Sequence, residues 1–318
     1  MALMLQFAAQ AVQMFLVLAI APLVLGFTRK VKARLLRRIG PPVFQPYFDL
    51  WKLMHKEAVL AHNASWLYRA APYVVFAVTW VAAALVPTFA TGLMFSWSAD
   101  IIAIVALLAT GRFTLALAGM DVGTAFGGIG SSREMMIASL AEPAMLLIVF
   151  TVALIAGTTQ LSSIAENFVG GHVGLRVSLG LALFAFVFVA VAENARIPID
   201  NPATHLELTM VHEAMVLEYS GRHLAMIEAA AALKLVLYFS LLVCLFFPFG
   251  MAVTDQRPSA LAFGITVYLA KLLVLATLLP TGEVMVAKMR VFRYPIFLGG
   301  AFAAAALAVF LLFVSQGF

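Results

Sequence analysis

The chain of 318 residues is 64% hydrophobic and 11% charged, with 20 basic residues, 15 acidic residues and a net charge of +5. Soluble domains are nearer half apolar and a quarter charged, so this charge content cannot coat a water-soluble protein of this size. A soluble globule and a disordered chain are excluded, a single cysteine excludes a disulfide scaffold, and the sequence is read by the rules of the bilayer.

A helix crossing about 30 Å of hydrocarbon needs about 20 apolar residues. Eight such stretches follow in chain order, at about 4–27, 70–92, 100–120, 135–157, 175–193, 223–248, 259–281 and 294–314. They predict an all-α, polytopic membrane protein with about eight transmembrane helices, forming a single integral membrane domain over 1–318. The first stretch does not read as a cleaved signal peptide. No basic residue precedes its apolar run, and Arg29 and Lys30 follow it. Cys244 falls inside the sixth stretch and reads as a small buried hydrophobe. One thiolate cannot hold an iron–sulfur cluster, so no metal or redox cofactor is expected in this chain.

Lys and Arg placement sets the orientation. With the first connection inside, inner loops hold 15 of the 20 basic residues and outer loops hold 2, Arg176 and Arg257. The other 3, Arg112, Lys234 and Lys271, fall within spans. Both termini are therefore expected outside, with two long cytoplasmic connections, 28–69 and 194–222. The excess positive charge marks topology and not a nucleic-acid surface.

The first connection opens with a basic run from Arg29 to Arg38, suited to anionic lipid. After Gly40-Pro41-Pro42, the spacing predicts a helix with Phe48, Trp51, Leu53 and Met54 among Asp49, Lys52, Lys56 and Glu57. It fits either a membrane-surface amphipathic helix or a docking surface for a partner. The second connection is acidic for an inner loop, carrying Glu193, Asp200, Glu207, Glu213 and Glu218 against Arg196 and Arg222. If 204–218 is helical, Glu207 and Glu218 lie three turns apart on one face, as do His205 and His212 two turns apart. Zincin spacing is absent, and nothing completes a metal site.

Ionisable residues at membrane depth are costly and face protein or water. At about 1.5 Å per residue, Glu142 lies roughly 12 Å and Glu228 roughly 9 Å from the inner ends of their spans, and Arg112, Lys234 and Lys271 roughly 14–18 Å in. Asp121, Glu134 and Glu283 sit at inner helix ends. This one-sided placement predicts a polar path from the cytoplasm to mid-membrane. Carboxylates near bases suit such a relay, because small environmental changes move a proton on or off. Pro143, beside Glu142, is expected to loosen the helix locally.

These residues carry a family resemblance. In the first connection the pattern comprises Gly40-Pro41, Gln45-Pro46, Asp49, Lys52-Leu53 and Lys56-Glu57. In the middle it comprises Gly119, Ser131, Arg133 and Glu142. In the acidic connection it comprises Glu193, Arg196, Pro198, Asp200, Pro202, Glu207 and Glu218-Tyr219-Ser220-Gly221. Over its whole length the sequence resembles subunit 1 of respiratory complex I. Within that superfamily it is most similar to formate hydrogenlyase subunit 4 and hydrogenase-4 component C, of the group 4 membrane-bound hydrogenases. Complex I members carry Thr and Glu where this chain has Ala195 and Ala203, and their stretch between Glu207 and Glu218 is about three residues shorter. Those departures favour the hydrogenase branch over a quinone-binding one.

The resemblance implies a coupling subunit without catalytic residues. Nickel–iron and iron–sulfur centres would sit on hydrogenase large and small subunits and a ferredoxin-like subunit, with antiporter-like subunits alongside in a bacterial inner membrane. Glu134, Glu142, Glu193, Glu207, Glu213, Glu218, Glu228, Lys234, Lys271 and Glu283 are the expected proton relay. Gln45, Asp49, Lys52, Lys56, Glu57, Arg196 and Asp200 are the expected docking and coupling residues. The rival expectations are a quinone-site subunit of the same fold, a stand-alone transporter, for which the paired broken helices are absent, and a plain membrane anchor.

Overall fold

The computed structural model describes residues 2–171 (side chains from residue 6), 176–200, 211–253, 257–287, 289 and 293–316. Regular structure among them is helical. In chain order the helices are α1 (Ala2–Leu35), α2 (Gln45–Met54), α3 (Trp66–Leu85), α4 (Ile101–Asp121), α5 (Ala125–Ala156) and α6 (Leu161–Val169). There follow α7 (Val177–Glu193), α8 (His212–Val216), α9 (Gly221–Phe246), α10 (Pro258–Met285) and α11 (Tyr294–Gln316).

Among the described residues, seven helices are long and apolar enough to cross a membrane, and α7, the expected fifth span, has 17 residues. That is about 26 Å, at the lower bound for a spanning helix. Conversely, α1 with 34 residues and α5 with 32 exceed the hydrocarbon thickness. The helical part of α1 runs on through the basic residues to Arg34, so most of the expected juxtamembrane run is an extension of the first span. Helix α5 begins ten residues before the predicted span and continues through Pro143 without a break. The short helix α6 was not anticipated. It is tied back through Leu161 N–H to Ala99 O at 3.0 Å, and Thr159 Oγ1 donates to Asp100 at 2.5 Å.

Buried along most of its length, α9 forms the centre of the bundle, whereas α10 and α11 are largely exposed. Packing relies on small residues. On α11, Ala301, Ala305 and Ala308 are fully buried at helical spacing, and this helix packs on α5 and α7. Small side chains let backbones approach where lipid supplies no hydrophobic drive between helices. The two long connections meet at the end of the bundle where α1 finishes and α9 begins, here termed the connection end. There, α2 packs against α1 and α9.

Candidate functional site

The site is set by the hairpin of α4 and α5. Asp100 caps α4 by accepting from Ile102 N–H at 2.8 Å, and Thr124 caps α5 by accepting from Gly127 N–H at 3.2 Å. The turn between them needs Gly123, whose φ is +73°. A Cβ at Gly127 would stand 2.1 Å from Gly119 O, so only glycine permits this crossing. The close hairpin brings Arg112, nine residues before the end of α4, level with Glu134, nine residues into α5.

Arg112 is the hub of a buried ionic network. Its guanidinium lies 3.7 Å from Glu134, 3.1 Å from Glu142, and in direct contact with Glu193 at the end of α7. The second oxygen of Glu193 lies 3.0 Å from Lys234 Nζ of α9. Four spanning helices thus meet at these five side chains. Glu193 and Arg112 are almost fully buried, and Glu142 is the most accessible. A cavity of about 80 Å³ lined by Arg112, Glu134, Glu193, His212 and Lys234 adjoins them, with walls of Val75, Leu108, Leu115 and Ile227. It is large enough to admit water. Three carboxylates face two bases, so full ionisation leaves one negative charge uncompensated. An unpaired buried charge is costly, and one bound proton removes it.

His212 lies outside the spans, on α8. Burial, with Lys234 nearby, lowers its pKa to about 4, so the imidazole is neutral at pH 7. Asp200, expected as a docking residue, is itself buried and accepts from Val211 N–H (3.2 Å) and His212 N–H (3.3 Å). It positions α8 locally and presents no exposed carboxylate. The helix considered over 204–218 stops at Val216, and Glu218 is exposed in the turn beyond it. Glu213 is half-buried on α8, and Glu207 lies outside the described residues.

The other expected relay residues do not join Arg112. Glu283 of α10 pairs with Lys32 of α1 at 2.6 Å and with Arg196 at 3.7 Å, forming a second cluster. Lys271 donates to the backbone carbonyls of Phe247 (2.7 Å) and Phe249. It therefore satisfies the C-terminal end of α9, about 20 Å along that helix from Lys234. Glu228 lines a separate groove of about 140 Å³ between α1, α2 and α9, with Arg29 and Asp49. On α2, Gln45 donates to Asp49 at 2.8 Å, and Phe48, Trp51 and Lys52 are exposed, as are Lys56 and Glu57 just beyond it. Sequence reasoning placed Arg112 at mid-bilayer but gave it no role, and assigned none to Lys32 or His212.

The NADH dehydrogenase family matches residues 8–314. The chain belongs to this family. It is 34% identical to hydrogenase-4 component C of Escherichia coli over 94% of this chain and 93% of that one. With formate hydrogenlyase subunit 4 of the same organism it shares 32% identity over 96% of each chain. NADH-quinone oxidoreductase subunit 8 of Rhodothermus marinus is 30% identical over 66% of this chain and 62% of its own. The fold is also that of a chain in the membrane-bound sulfane sulfur reductase, an archaeal respiratory membrane complex. There the TM-score is 0.79 at 20% identity, with 96% of this chain and 99% of that chain covered. The chain is thus a multi-pass membrane protein, most similar among these family members to the hydrogenase and formate hydrogenlyase membrane subunits.

Within this family chain, the Glu-Tyr-Ser-Gly motif at 218–221 has a structural explanation. The Tyr219 ring stacks on Tyr68 with centroids 4.0 Å apart, and its hydroxyl donates to Tyr68 O at 3.0 Å. Ser220 Oγ accepts from Val59 N–H (2.8 Å) and donates to Val59 O (3.0 Å). Gly221 has φ +54°, and a Cβ there would lie 2.5 Å from Glu57 O. The motif therefore fastens the second connection onto the first.

Proposed function

We propose that this chain anchors and couples a membrane-bound hydrogenase complex of the formate hydrogenlyase kind in a bacterial plasma membrane. The observation that carries this reading is the Arg112 network, where three carboxylates face two bases around a cavity. Such a site gains one proton as its charge surroundings become more negative and releases it when they relax. The similarity to hydrogenase-4 component C and formate hydrogenlyase subunit 4 supplies the context.

In this reading both termini face outside and the connection end faces the cytoplasm. The exposed Lys52 of α2, Lys56 and Glu57 just beyond it, and the half-buried Gln45, Asp49 and Arg196 meet the hydrogenase large and small subunits and a ferredoxin-like subunit. Those partners hold the nickel–iron and iron–sulfur centres, and electrons stay in them. Charge changes above the connection end act on Glu193 through the short segment 194–200, and Glu134 and Glu142 exchange the proton toward antiporter-like subunits.

The test compares the intact complex with its Glu142→Gln and Glu193→Gln variants. Hydrogen evolution in detergent stays within about twofold of the parent, while proton translocation into sealed vesicles falls about tenfold or more, as expected for loss of a proton-transfer group. Full translocation by both variants contradicts the proposal.

A further inference from the structure

A cavity of about 380 Å³ lies between α7, α9, α10 and α11, within the size range of small-molecule sites. Its walls are apolar, among them Phe188, Phe239, Leu242, Leu275 and Phe297, and polarity is concentrated at one end, at Asn194, Arg196 and Glu283. Leu275 to Glu283 is eight residues of α10, so the apolar body extends about 12 Å below the charged end. Leu278 lines the cavity and is more than half exposed, which opens it sideways to lipid. The proton network described above does not account for this space.

The charge at the cavity's mouth decides the ligand. Glu283 is held between Lys32 and Arg196, both partly exposed, and Arg29 lies near enough to bear on Arg196. Lys32 and Arg196 against one acid leave an excess of one positive charge at a level where α1 leaves its apolar stretch. Anionic headgroups are drawn to such clusters, whereas a zwitterionic or neutral headgroup gains little. An apolar slot open to the bilayer, topped by excess base, has the polarity profile of a phospholipid lying along the membrane normal.

We infer that this cavity binds one anionic phospholipid, with an acyl chain between α7, α9, α10 and α11 and the phosphate at Lys32 and Arg196. The lipid mortars α10, which packs chiefly on α1 and only lightly on α9, to α7 and α9. A Cβ on Gly282 meets no atom within 4 Å, so a larger side chain enters the slot without displacing backbone.

The test uses the delipidated full chain in detergent, titrated with phosphatidylglycerol or phosphatidylcholine and read by native mass spectrometry. The parent is expected to retain one phosphatidylglycerol with at least about fivefold preference over phosphatidylcholine. Gly282→Phe loses this bound lipid, and Arg196→Gln keeps lipid binding but reduces the preference to about twofold or less. Equal retention of both lipids by the parent, unchanged retention by Gly282→Phe, or displacement of phosphatidylglycerol by a short-chain quinone overturns the inference.

Discussion

The two charged clusters differ in composition and in enclosure. Around Arg112, three carboxylates share two bases, and the central pair is sealed among four spanning helices. Around Glu283, one carboxylate is shared by Lys32 and Arg196, which remain partly open. The first therefore has room for a proton, and the second has positive charge left over for an anion. Buried charge in a membrane protein is thus not one feature with one meaning. The ratio of acids to bases decides whether a cluster exchanges a proton or attracts an anion.

Breaking each cluster at its base separates them. Arg112→Leu leaves Glu134 and Glu142 without their base and Glu193 with Lys234 alone, and removing one partner from a buried ion pair typically costs about 3–5 kcal/mol. Thermal unfolding of the purified chain is expected to show that loss, or the variant fails to accumulate in the membrane. Gly221→Ala forces a side chain at φ +54° against Glu57 O. It unfastens the connections at a cost of about 1–3 kcal/mol, the range for a strained backbone position, read as faster proteolysis between residues 55 and 65. Lys32→Met removes a partly exposed partner and costs about 1 kcal/mol or less in the same unfolding measurement. A Lys32→Met loss as large as that of Arg112→Leu would erase the distinction between the clusters.

The smallest expected effect is a pH dependence at the edge of the first cluster. His212 faces Lys234, Arg112, Glu134 and Glu193 across the cavity, and Asp200 holds its backbone N–H. Its native pKa of about 4 lies below the ordinary 6.5. A released His212 therefore binds a proton that the docked one refuses, and the docked state weakens as pH falls from about 6.5 toward 4. Hydrogen exchange across 211–219, corrected for intrinsic rates, is expected to rise over that window in the parent and to stay flat in His212→Gln.

Much of this was legible in the sequence, for definite reasons. Long apolar runs reveal spanning helices because lipid forbids unsatisfied backbone, and seven of the eight expected spans meet the length of a crossing helix. The helix at α2 was visible in its spacing of Phe48, Trp51 and Met54. Partnerships were not visible. Glu283 and Glu142 read alike as acids near the inner side, yet one pairs with Lys32, 251 positions away, and the other with Arg112, 30 positions away. Lys271 read as a mid-membrane base in a relay, while the fold turns it to the carbonyls beyond α9. Likewise, Asp200 read as a docking and coupling residue, and the fold buries it against the backbone N–H groups at the start of α8. Only tertiary packing decides such pairings. The hub role of Arg112 had one signal, its depth in a span flanked by acids on two other predicted spans.

Redox-difference infrared spectroscopy of the intact complex tests the central claim most directly, by following protonated carboxyl groups as the peripheral centres are reduced. One buried carboxyl is expected to gain a proton on reduction. That band is lost or shifted in Glu142→Gln and Glu193→Gln and is unchanged in Glu283→Gln. A protonation change that survives both network variants, or that disappears only with Glu283→Gln, would contradict the assignment of proton exchange to the Arg112 network.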